Sequence, residues 1–240
     1  MNFSNILLNL ISPPVCLACN KYLPTYTNAL FCPKCGKNYP IIKGKTCNIC
    51  GKPISNNSDD TCIECKENKR YFIKNVSRYT YKGCIKTAIK NMKFKNYDWI
   101  AFEFGRQICK TIEEKYSDIN FDLVMYVPMT KLSEMNRTFN QTFELAYAVS
   151  RKFKIPIENN VIYKMPNVKT QSGLSKKDRL ENVKNGYIIL KPEKIIDKTI
   201  LLIDDVITTG ATLNECSKTL KKAGALAVYT ATVAITTFDE

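Results

Sequence analysis

The sequence predicts an α/β protein in which a parallel sheet with helices on both faces follows a compact cysteine-rich module. Three observations carry this. The runs FDLVMYVP (121–128), KTILLID (198–204) and ALAVYTATVAI (225–235) are short and almost continuously apolar, as strands buried on both faces are. Helical patterns lie between them, and that alternation selects a parallel sheet. Eight of the eleven cysteines fall within residues 16–65, which sets that stretch apart. The expected division is 1–70 for an N-terminal helix with the cysteine module, and 71–240 for the sheet domain.

At the front, MNFSNILLNLISPPVC places Phe3, Ile6, Leu7, Leu10 and Ile11 at helical spacing until Pro13-Pro14 stops the pattern. This short helix is expected to pack on the protein; contact with a partner or a membrane surface is the competing role. The stretch has no basic n-region and no small-residue cleavage site, so a signal peptide is not expected and the location is read as cytoplasmic. No apolar run approaches the roughly 20 residues that cross a bilayer.

The eight cysteines form four C-x-x-C doublets, CLAC, CPKC, CNIC and CIEC, separated by 12, 11 and 11 residues. Each doublet offers two thiolates on one tight turn, and two doublets joined by a hairpin-length loop complete a tetrahedral four-sulfur site. Zinc fits this regular spacing better than an iron–sulfur cluster does. A disulfide scaffold conflicts with the missing export signal. In series, the doublets form one ribbon from Cys16, Cys19, Cys32 and Cys35 and another from Cys47, Cys50, Cys62 and Cys65. Interleaved pairing satisfies the same chemistry and stays open. Neither set contains a His or a spare ligand, so both sites read as structural. Cys84, Cys109 and Cys216 stand alone, as small buried apolar groups.

Residues 81–115 read as two helices. Cys84, Ile85, Ala88, Ile89 and Met92 make an apolar stripe on the first, with Lys82, Lys86 and Lys90 on another face. Lys93-Phe94-Lys95 follows. With 36 Lys and Arg against 22 Asp and Glu, the formal charge is +14, which favours anionic partners such as phosphates or nucleic acid. Lys86, Lys90, Lys93 and Lys95 are therefore either a solvated helix face or a strip that tracks a phosphate backbone. The A/T-rich look of the sequence, with many Asn, Ile and Lys residues, is the competing source of the charge.

Beyond the first apolar run, residues 139–153 read as an amphipathic helix. ATLNECSKTLKKAG reads as a helix with Thr212 and Glu215 as a capping box and Gly224 as its stop. Ligands on such sheets bind beyond the carboxyl ends of the strands, where the VPMTK and DDVITTGAT segments both fall. Asp204 and Asp205 are expected at that mouth, within reach of water, where a sugar diol or a divalent ion offsets their repulsion. Thr208, Thr209, Gly210, Ala211 and Thr212 form a small hydroxyl-rich turn that opens a helix, a cradle for a phosphate dianion. Carboxylates for hydroxyls beside a phosphate nest describe a 5-phosphoribosyl group. A strand-end Asp pair holding Mg²⁺ alone would leave the TTGAT turn unexplained.

LLIDDVITTGAT resembles the phosphoribosyl pyrophosphate (PRPP) signature of type I phosphoribosyltransferases. Taken with the four doublets, VPM…RTFNQ and QSGLSKKDRLENVKNGY, nearly the whole chain resembles the ComF family of competence proteins. The resemblance implies a double zinc ribbon followed by a type I phosphoribosyltransferase-like domain. It puts Asp204 and Asp205 on the ribose 2′- and 3′-hydroxyls with Mg²⁺ nearby, Thr208 through Thr212 on the 5′-phosphate, and Thr130 and Lys131 towards the pyrophosphate. Arg137, Asn140 and Gln141 match the family's RGFNQ, with Thr138 where the family has glycine. Gln171, Ser172, Gly173, Leu174, Arg179, Asn182 and Val183 match a segment that looks like a mobile cover over the site.

The resemblance also implies a role in DNA uptake for natural transformation, alongside the competence machinery, with single-stranded DNA on the basic surface and PRPP as a ligand. The residues by themselves fit a second activity, displacement of pyrophosphate at C1′ of PRPP by an unknown nucleobase or amine. Asp204, Asp205, Lys131 and Arg137 are then the catalytic set, the acids for an oxocarbenium-like transition state and the cations, with Mg²⁺, for the departing pyrophosphate. The chain has no His to serve as a general base.

Overall fold

The computed structural model describes residues 14–24, 29–56, 59–94, 98–129, 140–165 and 186–237. The expected helix around Phe3 to Ile11 lies outside them. The described strands are β1 (Asn75–Thr80), β2 (Leu123–Tyr126), β3 (Ile162–Lys164), β4 (Tyr187–Ile189), β5 (Thr199–Ile207) and β6 (Ala227–Ile235). Four of them form one sheet in the order β1-β6-β5-β2, with every neighbouring pair parallel. β3 and β4 pair antiparallel as a separate small ribbon. The three apolar runs supply β2, β5 and β6. β1, the sequence NVSRYT, has no such run.

The described helices are α1 (Pro33–Gly36), α2 (Ile63–Glu67), α3 (Gly83–Phe94), α4 (Asp98–Lys115), α5 (Gln141–Phe153) and α6 (Ala211–Lys222). Alternate residues of a strand face opposite sides of a sheet, so β5 separates two cores. Leu201 and Ile203 meet Ile85, Ile89, Phe104, Ile108, Leu145 and Val149 of α3, α4 and α5. Ile200 and Leu202 meet Leu213, Cys216 and Leu220 of α6, together with Ile162 and Tyr187 of the β3–β4 ribbon. Helices therefore cover both faces, as the alternating pattern requires. Cys84, Cys109 and Cys216 are all buried in these cores.

The cysteine turns do not stand apart from this packing. Cys16, Leu17, Phe31 and Cys32 belong to the first core, and Cys47, Cys50 and Cys65 to the second. The segment joining the two turns runs beside β1: Ile42 N–H donates to Arg78 O (3.1 Å), Thr80 N–H donates to Pro40 O (2.9 Å), and Asn75 N–H donates to Ile49 O (2.7 Å). A Cβ on Gly51, whose φ is +75°, would lie 2.6 Å from Asn75 O, so only glycine permits that approach.

Two local expectations are corrected. β5 does not end at Asp204 but continues to Ile207, so both acids lie inside the strand. The N-cap of α6 is Gly210, in the left-handed region at φ 74°, which has no side chain to cap the helix. Thr212 is thus already within the first turn, and the Thr212–Glu215 capping box does not form. Glu215 instead sits 3.2 Å from Lys218 Nζ.

Candidate functional site

In each cysteine set the four sulfurs lie within 4.8 Å of one another, as Cys16, Cys19, Cys32 and Cys35 and as Cys47, Cys50, Cys62 and Cys65. This is the serial pairing; the interleaved alternative is not adopted. A tetrahedral ion with Zn–S bonds of about 2.3 Å needs S···S edges of about 3.8 Å. Cys19–Cys32 is 3.8 Å and Cys50–Cys62 is 3.6 Å, so the donors fit the metal.

Charge within each set is uneven. The Cys35 amide is the main cause that lowers Cys32 to about 7, while burial, then the neighbouring sulfurs, pushes Cys35 to about 12. In the second set the thiols of Cys50 and Cys65 donate to Cys47 and lower it strongly, and for both partners that contact with Cys47 is the first cause of a raised value. Thiols this close cannot all ionise without a cation among them, which is what a bound divalent ion supplies.

The second constellation lies at the carboxyl ends of β5 and β2. β2 stops pairing at Tyr126–Ile203, whereas β5 runs on beside β6 through Asp204–Thr232 to Ile207–Ile235. The two acids therefore extend past the shorter strand. They are consecutive on a strand, so their side chains diverge to the two faces, which relieves the repulsion expected of adjacent like charges.

Asp205, only 8% exposed, faces the α3 side. Lys93 Nζ lies 2.7 Å from both of its carboxylate oxygens. Burial opposes the charge on Lys93, but Asp205, and to a lesser degree Asp204 and Tyr81, outweigh it and raise its pKa. The sequence puts Lys93 on an outward strip with Lys86 and Lys90. It turns inward instead, because a desolvated carboxylate attracts it more strongly than water does. Lys90 is exposed and Lys86 partly so, while Lys95 lies outside the described residues.

Asp204 faces the α6 side. Its Oδ1 accepts from Asp205 N–H at 2.8 Å. Burial, then the charge of Asp205, raises its carboxyl to about 7, against the opposing pull of Lys93 and Lys164. Burial in turn lowers Lys164, at the end of β3. Tyr187 on β4 is buried with its hydroxyl unsatisfied, beside Cys216, Asp204 and Thr212. The expectation that water reaches both acids thus holds only in part.

The turn after β5 is held from behind. Thr236 N–H donates to Ile207 O (3.0 Å), and Thr209 Oγ1 accepts from Ala211 N–H (3.3 Å). Gly210 is packed closely by Arg70: an added Cβ would come within 3.1 Å of the guanidinium. Arg70 Nε is buried with no partner. The Arg70 segment is fixed by Asn214, whose Oδ1 accepts from Tyr71 N–H (2.7 Å) and whose amide donates to Lys69 O (3.2 Å). The result is a helix N-terminus whose cap residue has no side chain, a hydroxyl-lined approach and a guanidinium at its back, which is chemistry for an anion.

Asn140 caps α5, accepting from Phe143 N–H (3.2 Å) and Thr142 Oγ1 (2.8 Å). Gln141 is the first residue of that helix and is buried. Thr130, Lys131, Arg137, Gln171, Ser172, Gly173, Arg179 and Asn182 lie outside the described residues. Lys93, Lys164 and Tyr187 were not legible as neighbours of the acids, nor Arg70 as a neighbour of the Gly210 turn. Each comes from an element distant in sequence.

Comparison with known proteins covers both parts of the chain. Residues 7–66 match the double zinc ribbon domain family, and residues 141–237 match the phosphoribosyl transferase domain family. Competence protein F of Haemophilus influenzae is 30% identical over 215 residues, 87% of this chain and 91% of that protein. Competence protein ComFC of Bacillus subtilis is 30% identical over 80% of this chain and 78% of its own length. The DNA utilization protein YhgH of Escherichia coli K12 is 25% identical over 76% of this chain and 80% of that protein. A double zinc ribbon with two four-cysteine sites, joined to a phosphoribosyltransferase-type sheet and shared across most of the chain's length with competence proteins F and ComFC, places this protein in the ComF family.

Proposed function

We propose that this chain acts in DNA uptake for natural transformation, on the cytoplasmic side of the uptake machinery. In this reading it binds single-stranded DNA on its basic surface, and its phosphoribosyltransferase-like domain carries a site for PRPP with Mg²⁺. The names of its relatives support the first part. The second rests on one observation, the strand–turn–helix at 199–222, with two acids in the part of β5 beyond its pairing with β2 and a helix that opens after Gly210. Residues 1–70 are the zinc-ribbon part of this arrangement and 71–240 the sheet domain.

Asp204 and Asp205 accept from the ribose hydroxyls, and Thr208 through Thr212 receive the 5′-phosphate at the positive end of α6. Thr130, Lys131 and Arg137 serve the pyrophosphate, and Gln171, Ser172, Gly173, Arg179 and Asn182 cover it. Bound beside the pyrophosphate, Mg²⁺ would supply further positive charge to that of Lys131 and Arg137. Among the described residues, no helix is long and apolar enough to cross a membrane.

Calorimetry of the zinc-loaded protein with PRPP and Mg²⁺ tests the site: binding is expected, and its loss in Asp204→Asn/Asp205→Asn. A wild-type protein that takes up no PRPP would remove this half of the proposal. Fluorescence anisotropy with a labelled oligonucleotide tests the other half. Lys86→Glu/Lys90→Glu is expected to weaken binding and to reduce the salt slope by about one to two. An unchanged slope removes the strip.

One observation favours turnover as a second reading. A carboxyl held at about 7, as Asp204 is, matches what a general base needs at neutral pH. Release of pyrophosphate on adding a nucleobase or amine would establish it.

A further inference from the structure

The ion pair between Lys93 and Asp205 has no part in the site as proposed above. We infer that Lys93 is the cation of the sugar-phosphate site that receives the anionic group at C1 of the ligand, and that the ion pair is its resting position. This deepens the proposed PRPP site and rests on it.

Connectivity orients the ligand. A ribose held by its 2- and 3-hydroxyls at the acids has C5 at one end of the diol and C1 at the other. The 5-phosphate end is assigned to the turn at Thr208 to Gly210, which leads directly into α6. α6 packs on the face of the sheet that carries Ile200 and Leu202. Lys93 approaches from the opposite face, at the last turn of α3, with its ammonium against Asp205. It therefore stands on the side where the C1 substituent extends.

Charge balance points the same way. Asp205 is buried and Lys93 is its counter-ion, so the carboxylate is neutralised in the ligand-free protein. Diol hydroxyls that donate to Asp205 satisfy its lone pairs and leave the ammonium available to a second anion within a side chain's reach. Lys93 keeps about a quarter of its side chain exposed, 27% against 12% for Asp205, so it has room to turn. Asp204 and Tyr81 are near enough to act on it electrostatically, and both favour its charged form.

The experiment compares two ligands that differ only at C1. Full-length, zinc-loaded wild type, Lys93→Ala and Lys93→Arg are titrated by calorimetry with PRPP plus Mg²⁺ and with ribose 5-phosphate plus Mg²⁺. Loss of one charge-assisted contact in Lys93→Ala is expected to weaken PRPP about 10- to 100-fold, ribose 5-phosphate by no more than about threefold, and Lys93→Arg is expected to recover most of the loss. Equal weakening of both ligands would show that Lys93 only holds Asp205 in place, and undiminished PRPP affinity would show that it does not touch the ligand. Either result overturns the inference while leaving the PRPP site standing. Wild type that binds neither ligand overturns both.

Should Lys93→Ala misfold with Asp205 left unpaired, amine labelling of the wild type read by mass spectrometry gives an independent answer. PRPP is expected to protect Lys93 from the reagent and ribose 5-phosphate to leave it reactive. Equal protection by the two ligands, or none by PRPP, refutes the inference.

Discussion

Asp204 and Asp205 are consecutive in the chain, yet each has its own surroundings. Asp205 is neutralised by Lys93, and Asp204, raised to about 7 against an ordinary 3.8, holds a proton across that interval that the unfolded chain releases. The native state therefore binds more protons than the unfolded state in this window, so stability falls as pH rises from about 4 to 7, and above it the carboxylate charge works against folding. Asp204→Asn removes that cost. At pH 8 the variant is expected to melt about 2–4 °C above wild type, for roughly 1 kcal/mol in a chain of this size, with the difference vanishing near pH 4. The same substitution is expected to abolish PRPP binding. In wild type, PRPP affinity is expected to drop as pH falls below about 7, with proton uptake on release seen as buffer-dependent heats. A variant less stable than wild type at pH 8 would mean that the Asp204 carboxylate is stabilised by its surroundings and not raised.

At the scale of elements, what the sequence made legible follows from how each segment satisfies its backbone and side chains. β2, β5 and β6 are buried by apolar residues and were visible as apolar runs. β1 was not, because only Val76 and Tyr79 bring it apolar burial, while Asn75 and Ser77 are equally buried but held by hydrogen bonds. Asn75 donates to Cys50 O (3.0 Å) and accepts from Thr230 (2.8 Å), and Ser77 meets Thr232 at 2.7 Å. Those partners are 25 to 155 residues away, and no window of sequence contains them. β3 and β4 have three residues each, too short for any periodicity. The acids and the turn were legible because their chemistry is contiguous. Their cations were not, since Lys93 lies 112 residues from Asp205. Asn214 is the corresponding case for the turn. Asn214→Ala would strand Tyr71 N–H and free the Arg70 segment from α6. The expected cost is about 1–3 kcal/mol in chemical denaturation, with weaker binding of ribose 5-phosphate. A cost below about 0.5 kcal/mol would show that this seam contributes little.

For the molecule as a whole, the cysteine module is not an appendage. Its first turn is part of the core beneath α3, α4 and α5, and its second is part of the core beneath α6. Metal binding at such sites contributes about 10 kcal/mol or more to folding in isolated ribbons, and here that energy is shared with the sheet. Chelation of zinc is expected to lower the melting temperature of the entire chain in one transition. Lys52 and Glu64, 2.8 Å apart within the second turn, are expected to separate with it. Two resolved transitions in calorimetry, the upper one unaffected by chelator, would show instead that the sheet domain is independent of the metal. Acid should act as a chelator does, because thiolate ligands must lose protons to bind.

The strip of chain at residues 40–42 and the knuckle at Ile49 to Gly51 together occupy the free side of β1. At the far border of the sheet, Val124 is similarly occupied by residues 156–158. Uncovered strand borders recruit other strands, and proteins that leave them bare tend to self-associate. A fragment starting at residue 71 would present β1 with its amides and carbonyls unmet along one flank. Such a fragment is expected to elute as dimers and larger assemblies in size-exclusion chromatography, even where its PRPP pocket is intact. On that view one task of the zinc ribbons is hygienic: they keep the sheet from sticking to copies of itself.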